Sequence, residues 1–139
     1  MYYRTGTIVM VCLLALTQVA LAQDDQQERD ALKIAAIEAL MSAPPDRALP
    51  AVTRVLQGNN SDEVKEAALF ILSQIETPEA QALLLDMARN SEGELREEAI
   101  EMIGIGGDPQ ALAGLREIYA AGDNDVREAV LEAYLIAGD

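Results

Sequence analysis

The chain has 139 residues, half of them hydrophobic, and 24 acidic side chains against 10 basic ones give it a formal net charge of −14. A chain of this length forms one small domain or a short repeat array, and so negative a surface repels the phosphates of nucleic acids and anionic lipids. Without histidine, and with a single cysteine, the sequence lacks the ligands of common zinc sites and the usual groups of nucleophilic catalysis.

Residues 1–22 have the pattern of a secretory signal peptide. Arg4 supplies a positive start, residues 8–16 form a short apolar stretch, and Ala20-Leu21-Ala22 places small residues where signal peptidase reads them. Cleavage is therefore expected before Gln23. An uncleaved membrane anchor is the alternative, but the apolar stretch is shorter than the roughly 20 residues that span a bilayer.

The expected mature chain, residues 23–139, has no thiol, because Cys12 lies inside the leader. Neither disulfides nor cysteine chemistry are then available. Cleavage also removes Arg4 and no acid, so the mature chain is more acidic still. We expect an exported protein of the periplasm or the extracellular space, with no membrane span after cleavage. A partner steered by charge should be basic, unless the charge serves solubility alone.

From Asp25 onward the pattern predicts consecutive helices and no strand. The first helix, over residues 25–43, puts six apolar side chains on one expected inward stripe, at offsets of 0, 3, 4, 7, 8 and 11: Leu32, Ala35, Ala36, Ala39, Leu40 and Ala43. Pro44-Pro45 ends this helix. The second, over residues 47–57, turns Leu49, Val52, Thr53 and Leu56 inward and closes at Gly58.

Three further helices repeat the first stripe at intervals of 31 residues. Their first apolar positions are Val64, Leu95 and Val126, and the middle helix departs from the pattern by placing Glu98 on its stripe. Expected N-caps are Ser61 or Asp62, Asn90 or Ser91, and Asp123 or Asn124. A glycine, Gly106 or Gly107, is expected to end the middle helix in a left-handed conformation.

Paired helices start near Pro78 and Pro109, since proline is tolerated at the first helical position. The sum is seven helices, or about three and a half hairpins, joined by short turns that force neighbours antiparallel. A fixed period of this length indicates stacked units, because one hairpin cannot bury its apolar stripe alone.

Gly138-Asp139 aligns with Gly107-Asp108, where the sixth helix opens. We therefore expect truncation in mid-repeat rather than a capping helix.

Residues 62–69, 94–100 and 125–131 resemble the HEAT-like repeats, in the short bacterial form related to the repeats of phycocyanobilin lyases. Each segment has an aliphatic residue, then a basic one, then small and apolar positions. The resemblance covers residues 48–139 well and residues 25–47 loosely. It implies an all-α, right-handed solenoid of antiparallel helical hairpins that binds proteins. The export leader and the lack of histidine and mature cysteine argue against lyase activity.

We expect no catalytic residue, no cofactor and no metal ion. Capping and solvation explain the serines at helix ends, and an N-cap explains residues 123–125 better than calcium does. Paired acids such as Glu97-Glu98 are interpreted as solvated helix faces.

The basic column of Lys65, Arg96 and Arg127, also spaced by 31 residues, has two interpretations. It forms an anion-binding ladder, or it bonds to acids or turn carbonyls between repeats. The second is preferred, because the column lies at the start of each helix and close to the turns.

A protein-binding surface is expected on the exposed side of the second, fourth and sixth helices, the usual concave wall of such solenoids. Leu85 and Leu112 are apolar there without being needed by the stripes, and scattered surface leucines are the alternative. The candidate residues are Arg54, Leu85, Asp86, Leu112, Arg116 and Glu117. The predicted function is a non-catalytic scaffold or adaptor in the bacterial envelope. The alternative is a repeat region of a longer exported enzyme.

The stripe assignment makes a stability prediction. Leu72→Ala should lower the free energy of unfolding by roughly 2–5 kcal/mol, because it empties a core position. Glu66→Ala should change it by under about 0.5 kcal/mol, as surface substitutions do. Equal losses in thermal denaturation of the two variants would contradict the stripe.

Overall fold

The computed structural model describes residues 25–138, so the expected leader and its cleavage site lie outside the described residues. Within this range the chain is helical and contains no strand. Its elements are α1 (residues 25–38), a 3₁₀ turn (Ala39–Ser42), α2 (Pro45–Gln57), α3 (Asp62–Ser73), α4 (Pro78–Asn90), α5 (Gly93–Gly106), α6 (Pro109–Ala121) and α7 (Asn124–Ala137).

The helices stack in two rows, which confirms the all-α solenoid of helical hairpins. In the odd-numbered row, α5 packs between α3 and α7, and these are among the most extensive contacts in the fold. In the even-numbered row, α4 packs against α6, and each even-numbered helix also packs against the odd-numbered helix that follows it. Each hairpin therefore buries its apolar side against the next hairpin as well as within itself.

The predicted stripes of α3 and α7 face the core. Val64 and Leu72 in α3, and Val130 in α7, are fully buried. The odd-numbered helices also bury a second side that the stripe did not predict, where Leu69 and Ile100 have no exposed surface. An interior odd-numbered helix is thus covered by the odd-numbered helices on both sides of it.

The prediction for α1 is wrong in its orientation. Leu32 is 68% exposed, and Ala35, Ala36 and Ala39 are exposed as well. The buried apolar side chain of α1 is Ile37, on the opposite side of the helix. Later odd-numbered helices use the side that carries this stripe to pack on the odd-numbered helix before them. No described helix precedes α1, so none of the described helices covers its stripe in this way.

Asp30 is a buried carboxylate on the packed side of α1. The Gln26 amide donates to both of its oxygens, at 3.1 and 3.0 Å, and Lys33 Nζ lies 3.1 Å from Oδ1. These hydrogen bonds hold the pKa of Asp30 below its usual range.

The helix boundaries agree with most of the predicted signals. Pro78 and Pro109 open α4 and α6, and the side chain of Asp123 caps α7 by accepting from Val126 N. Gly107 ends α5 in the left-handed conformation, with φ of 64°. The cap expected at Asn90 or Ser91 is wrong: Asn90 still belongs to α4, and α5 begins only after Glu92.

A glycine marks a close crossing of α5 and α7 in the odd-numbered row. A Cβ on Gly104 of α5 would lie 2.7 Å from both Cα and the carbonyl oxygen of Ala133 in α7. A real side chain does not fit at that distance from backbone atoms. Gly104 and Ala133 therefore set how closely α7 stacks on α5.

This crossing predicts that Gly104→Ala destabilises the fold by about 1–3 kcal/mol, although alanine favours helix over glycine. The matched control is Gly106→Ala in the same helix. There the nearest atom to an added Cβ is the Ser73 carbonyl oxygen at 3.4 Å, an ordinary contact. We expect no loss of stability or a gain of up to about 1 kcal/mol. Urea denaturation of both variants is the measurement, and a stable Gly104→Ala protein would contradict the close approach.

Candidate protein-binding surfaces

The face predicted for binding lies on the even-numbered helices. Arg54, Asp86, Arg116 and Glu117 are exposed on it. These four side chains come from α2, α4 and α6, so the face spans the described even-numbered row.

The two leucines of that face are contacts between helices. Leu112 is only 7% exposed, and its carbonyl accepts a hydrogen bond from the Tyr134 hydroxyl at 2.9 Å. Leu85 of α4 lies directly against Gly114 of α6, where an added Cβ would approach its Cδ2 to 2.5 Å. Leu112 therefore offers no free apolar surface to a partner, and Leu85 is only partly exposed.

Charges on the same face are partly paired. Arg89 Nη2 of α4 lies 2.8 Å from Glu117 Oε2 of α6, and the Asn90 amide donates to Asp86 Oδ1 at 2.7 Å. An exposed ion pair of this kind contributes about 0–1 kcal/mol. A protein-binding role for the candidate residues stays a prediction.

Two of the three residues of the basic column, Arg96 and Arg127, bond to the ends of the preceding even-numbered helices, as the preferred interpretation predicts. Arg96 Nη2 donates to the Arg89 carbonyl at 3.4 Å, and Arg127 Nε donates to the Tyr119 carbonyl at 3.2 Å. The Arg127 guanidinium also lies 5.8 Å from the centroid of the Tyr119 ring. These two arginines therefore join neighbouring repeats.

A groove of about 780 Å³ runs across the outer side of α3, α5 and α7. Eight carboxylates and one alanine line it, and none of the lining residues is basic. They are Glu66, Glu94, Glu97, Glu98, Glu101, Asp125, Glu128, Ala129 and Glu132. We call this surface the acidic groove.

The repeat spacing builds the acidic groove. Glu66, Glu97 and Glu128 form one column at 31-residue intervals, Glu94 and Asp125 a second, and Glu101 and Glu132 a third. Sequence reasoning interpreted these acids as solvated helix faces and missed the groove. The signal available in the sequence was that neighbouring columns carry charge of one sign. The depth of the groove between the three helices depends on how those helices pack.

Glu98 lies where α3 and α7 have alanine, and it completes the acidic groove. Partial burial raises the pKa of its carboxyl, and the charges of Glu101 and Glu66 raise it further. The groove thus has like charges close enough to affect each other. Even so, no three potential metal ligands among residues 25–138 are grouped so as to hold an ion. A partner that carries several positive charges fits this arrangement better than a single cation does.

Residues 55–134, more than half of the chain, match the sequence model of a family described as HEAT repeats. No curated protein and no solved structure gives a significant match. The finer resemblance to the repeats of phycocyanobilin lyases stays a prediction.

The raised pKa of Glu98 predicts a pH effect on stability. The folded chain binds this proton more tightly than the unfolded chain does, so this residue lowers the free energy of unfolding as pH rises from the ordinary glutamate range through the raised pKa. Glu98→Gln should therefore stabilise the fold at neutral pH, and the difference from wild type should disappear in acid. Thermal denaturation across pH is the measurement.

The same change at Glu76, an exposed residue in the turn between α3 and α4, controls for net charge alone. If Glu98→Gln were no more stabilising than Glu76→Gln at neutral pH, the raised pKa of Glu98, from burial and from the charges of Glu101 and Glu66, would be contradicted.

Proposed function

The chain belongs to the HEAT-repeat family, and on that premise we propose that it is a non-catalytic scaffold that holds a basic segment of a partner protein in the acidic groove. HEAT repeats generally mediate protein–protein interaction, and the fold is typically a scaffold without catalytic activity. Membership of the family indicates the class of function, and the charge on the surface of this chain indicates what kind of partner segment it would bind.

The observation that carries the proposal is the uniform sign of the acidic groove. Eight carboxylates share one groove, and no lysine or arginine among the lining residues neutralises them. A groove lined by one sign of charge focuses its field, attracts the opposite charge and speeds association. Burial raises the pKa of Glu98 most, and the charges of Glu101 and Glu66 raise it further; lysine and arginine side chains of a partner would offset the repulsion from those charges.

The bacterial envelope is the proposed location, and an adaptor is the proposed role there. The leader pattern of residues 1–22 and the thiol-free remainder of the chain support export. None of the described helices is both long and apolar enough to cross a bilayer.

Two alternatives make different predictions. A repeat region of a longer exported enzyme would require a catalytic domain in the same reading frame. A docking site on the even-numbered helices would depend on Arg54 and Arg116, which are exposed there, and would prefer an acidic or mixed partner.

The test is capture of a partner from a bacterial envelope extract by the immobilised chain from Gln23 to Asp139, which contains every described helix. The groove variant combines Glu97→Gln, Glu101→Gln and Glu128→Gln. Its matched control combines Glu38→Gln, Glu76→Gln and Glu79→Gln, three exposed acids outside the groove. The same protein should be retained by the wild type and the control, and about tenfold less by the groove variant.

High salt should release the captured protein, since the attraction is between charges. The captured protein should also carry a basic segment that competes for the groove as a synthetic peptide. Equal retention by the groove variant and its control would refute the acidic groove as the site. If capture were lost in an Arg54→Glu, Arg116→Glu double variant but kept in the groove variant, the binding site would lie on the even-numbered helices instead.

A further inference from the structure

A cavity of about 370 Å³ lies between two neighbouring repeats, where the ends of α4 and α6 meet the starts of α5 and α7. It shares no residue with the acidic groove. Its lining includes Arg89, Arg96, Glu117, Ile118 and Val126. Two guanidinium groups therefore line one cavity of a chain whose net charge is −14. We call it the arginine cavity.

The arginine cavity lies where one repeat lacks an aromatic ring that the next repeat has. The spacing of 31 residues aligns Arg96 with Arg127 and Ala88 with Tyr119. The Arg127 guanidinium lies 5.8 Å from the centroid of the Tyr119 ring, and its Nε donates to the Tyr119 carbonyl at 3.2 Å. Ala88 is buried and has no ring on which Arg96 could stack. Ala88 and Arg96 line the cavity instead.

The guanidinium of Arg96 has donors to spare. Among the described residues it makes one hydrogen bond, from Nη2 to the Arg89 carbonyl at 3.4 Å. Its Nε is buried and has no acceptor within residues 25–138, although buried donors are nearly always hydrogen-bonded in folded proteins. A guanidinium carries five N–H donors in a fixed fork that matches a carboxylate. Since Nε itself is buried, an acceptor that enters from the cavity would meet the Nη end of the fork.

The partner of Arg89 is an acid that a ligand can replace. Arg89 Nη2 lies 2.8 Å from Glu117 Oε2, and the Glu117 side chain is 80% exposed. Exposed ion pairs of this kind contribute little, because water and salt screen them. A carboxylate that enters the cavity can therefore take the place of Glu117 on Arg89 at little cost.

The rest of the lining selects among anions. Apart from the two arginines and Glu117, the cavity is lined by apolar residues and one glycine, with Ile118 and Val126 among them. Binding sites for small ligands typically combine such surface with a few polar groups. A phosphate or sulfate ion would gain nothing from apolar surface, and the negative field of the chain repels two charges more than one. A singly charged ligand with an aliphatic part fits the cavity better.

We propose that the arginine cavity binds a carboxylate that carries a short aliphatic group. Arg96 and Arg89 hold the carboxylate, and Ile118 and Val126 contact the aliphatic group. The C-terminal residue of a partner peptide and a small free aliphatic acid share this chemistry. The proposal does not depend on the acidic groove being a binding site.

The test is a titration of the ¹⁵N-labelled chain from Gln23 to Asp139, followed by NMR through the Nε–H signals of its arginines. The probes are 4-methylpentanoate and the peptide Gly-Ser-Gly-Leu with a free C-terminus, which both carry a carboxylate and a branched aliphatic group. Their controls are 4-methylpentanamide and the C-terminally amidated peptide, which lack the charge. Each acid should give saturable shifts at Arg89 and Arg96, and each amide should bind about tenfold more weakly.

Two variants should change the affinity in opposite directions. Arg96→Gln should weaken binding of the acids by about tenfold, whereas Glu117→Gln should strengthen it, because it frees Arg89. The matched controls are Arg116→Gln and Glu79→Gln, which make the same changes in net charge at exposed positions outside the cavity. They should leave the affinity unchanged. Arg89→Gln, at an exposed position, repeats the test if circular dichroism shows that Arg96→Gln is unfolded.

The two probes also separate the sources of the carboxylate. A peptide that binds at least as tightly as 4-methylpentanoate would support the C-terminus of a partner protein, and a peptide that binds more weakly would support a small acid. The proposal would be overturned if neither acid gave saturable shifts at the arginines, or if each acid and its amide bound equally. Acetate that bound as tightly as 4-methylpentanoate would overturn the role of the aliphatic group. Equal losses in Arg96→Gln and Arg116→Gln would show that net charge, and not the cavity, attracts the acids.

Discussion

The fold depends on one constraint: each interior odd-numbered helix has apolar surface on two sides, and the odd-numbered helices before and after it cover those sides. Ile71 is buried on one side of α3, and Leu69 is fully buried on the other. Hydrophobic burial of this kind is the main favourable term in folding. Because no hairpin buries all the apolar surface of its own helices, stability comes from the stacking of hairpins, as in other solenoids. The near contact of Gly104 with Ala133 shows how closely that stack packs at its end.

Stacking also creates the candidate site. A residue repeated every 31 positions returns to the same place on the next helix, so a modest local preference for acid becomes a column of charge. Three such columns and Glu98 produce the acidic groove. The raised pKa of Glu98 shows that this arrangement opposes folding locally. Surfaces that lower stability without serving the core are characteristic of binding sites.

The repeat spacing was sufficient to predict the helices, their order and the inward sides of α3 and α7. It was insufficient for α1, because a stripe of apolar residues does not tell which neighbour covers it, and Leu32 has no described helix on that side. Leu85 and Leu112 were expected to be free because their own helices did not need them. Leu85 lies against Gly114 of another helix, and the Leu112 side chain is buried. The groove was missed for the same reason, since its depth exists only between helices.

The columns of the acidic groove have a further consequence for recognition. Packed helices lie about 8–10 Å apart, so successive carboxylates of one column extend from backbones at about that spacing. A polyproline II segment advances about 3.1 Å per residue with three residues per turn, so every third side chain of such a partner would face the next carboxylate. A helical partner rises about 1.5 Å per residue and would cover the same distance in about five to seven residues, of which only seven, about two turns, returns a side chain to the same side. The groove would therefore select a partner by the spacing of lysines and arginines along its chain as well as by their number.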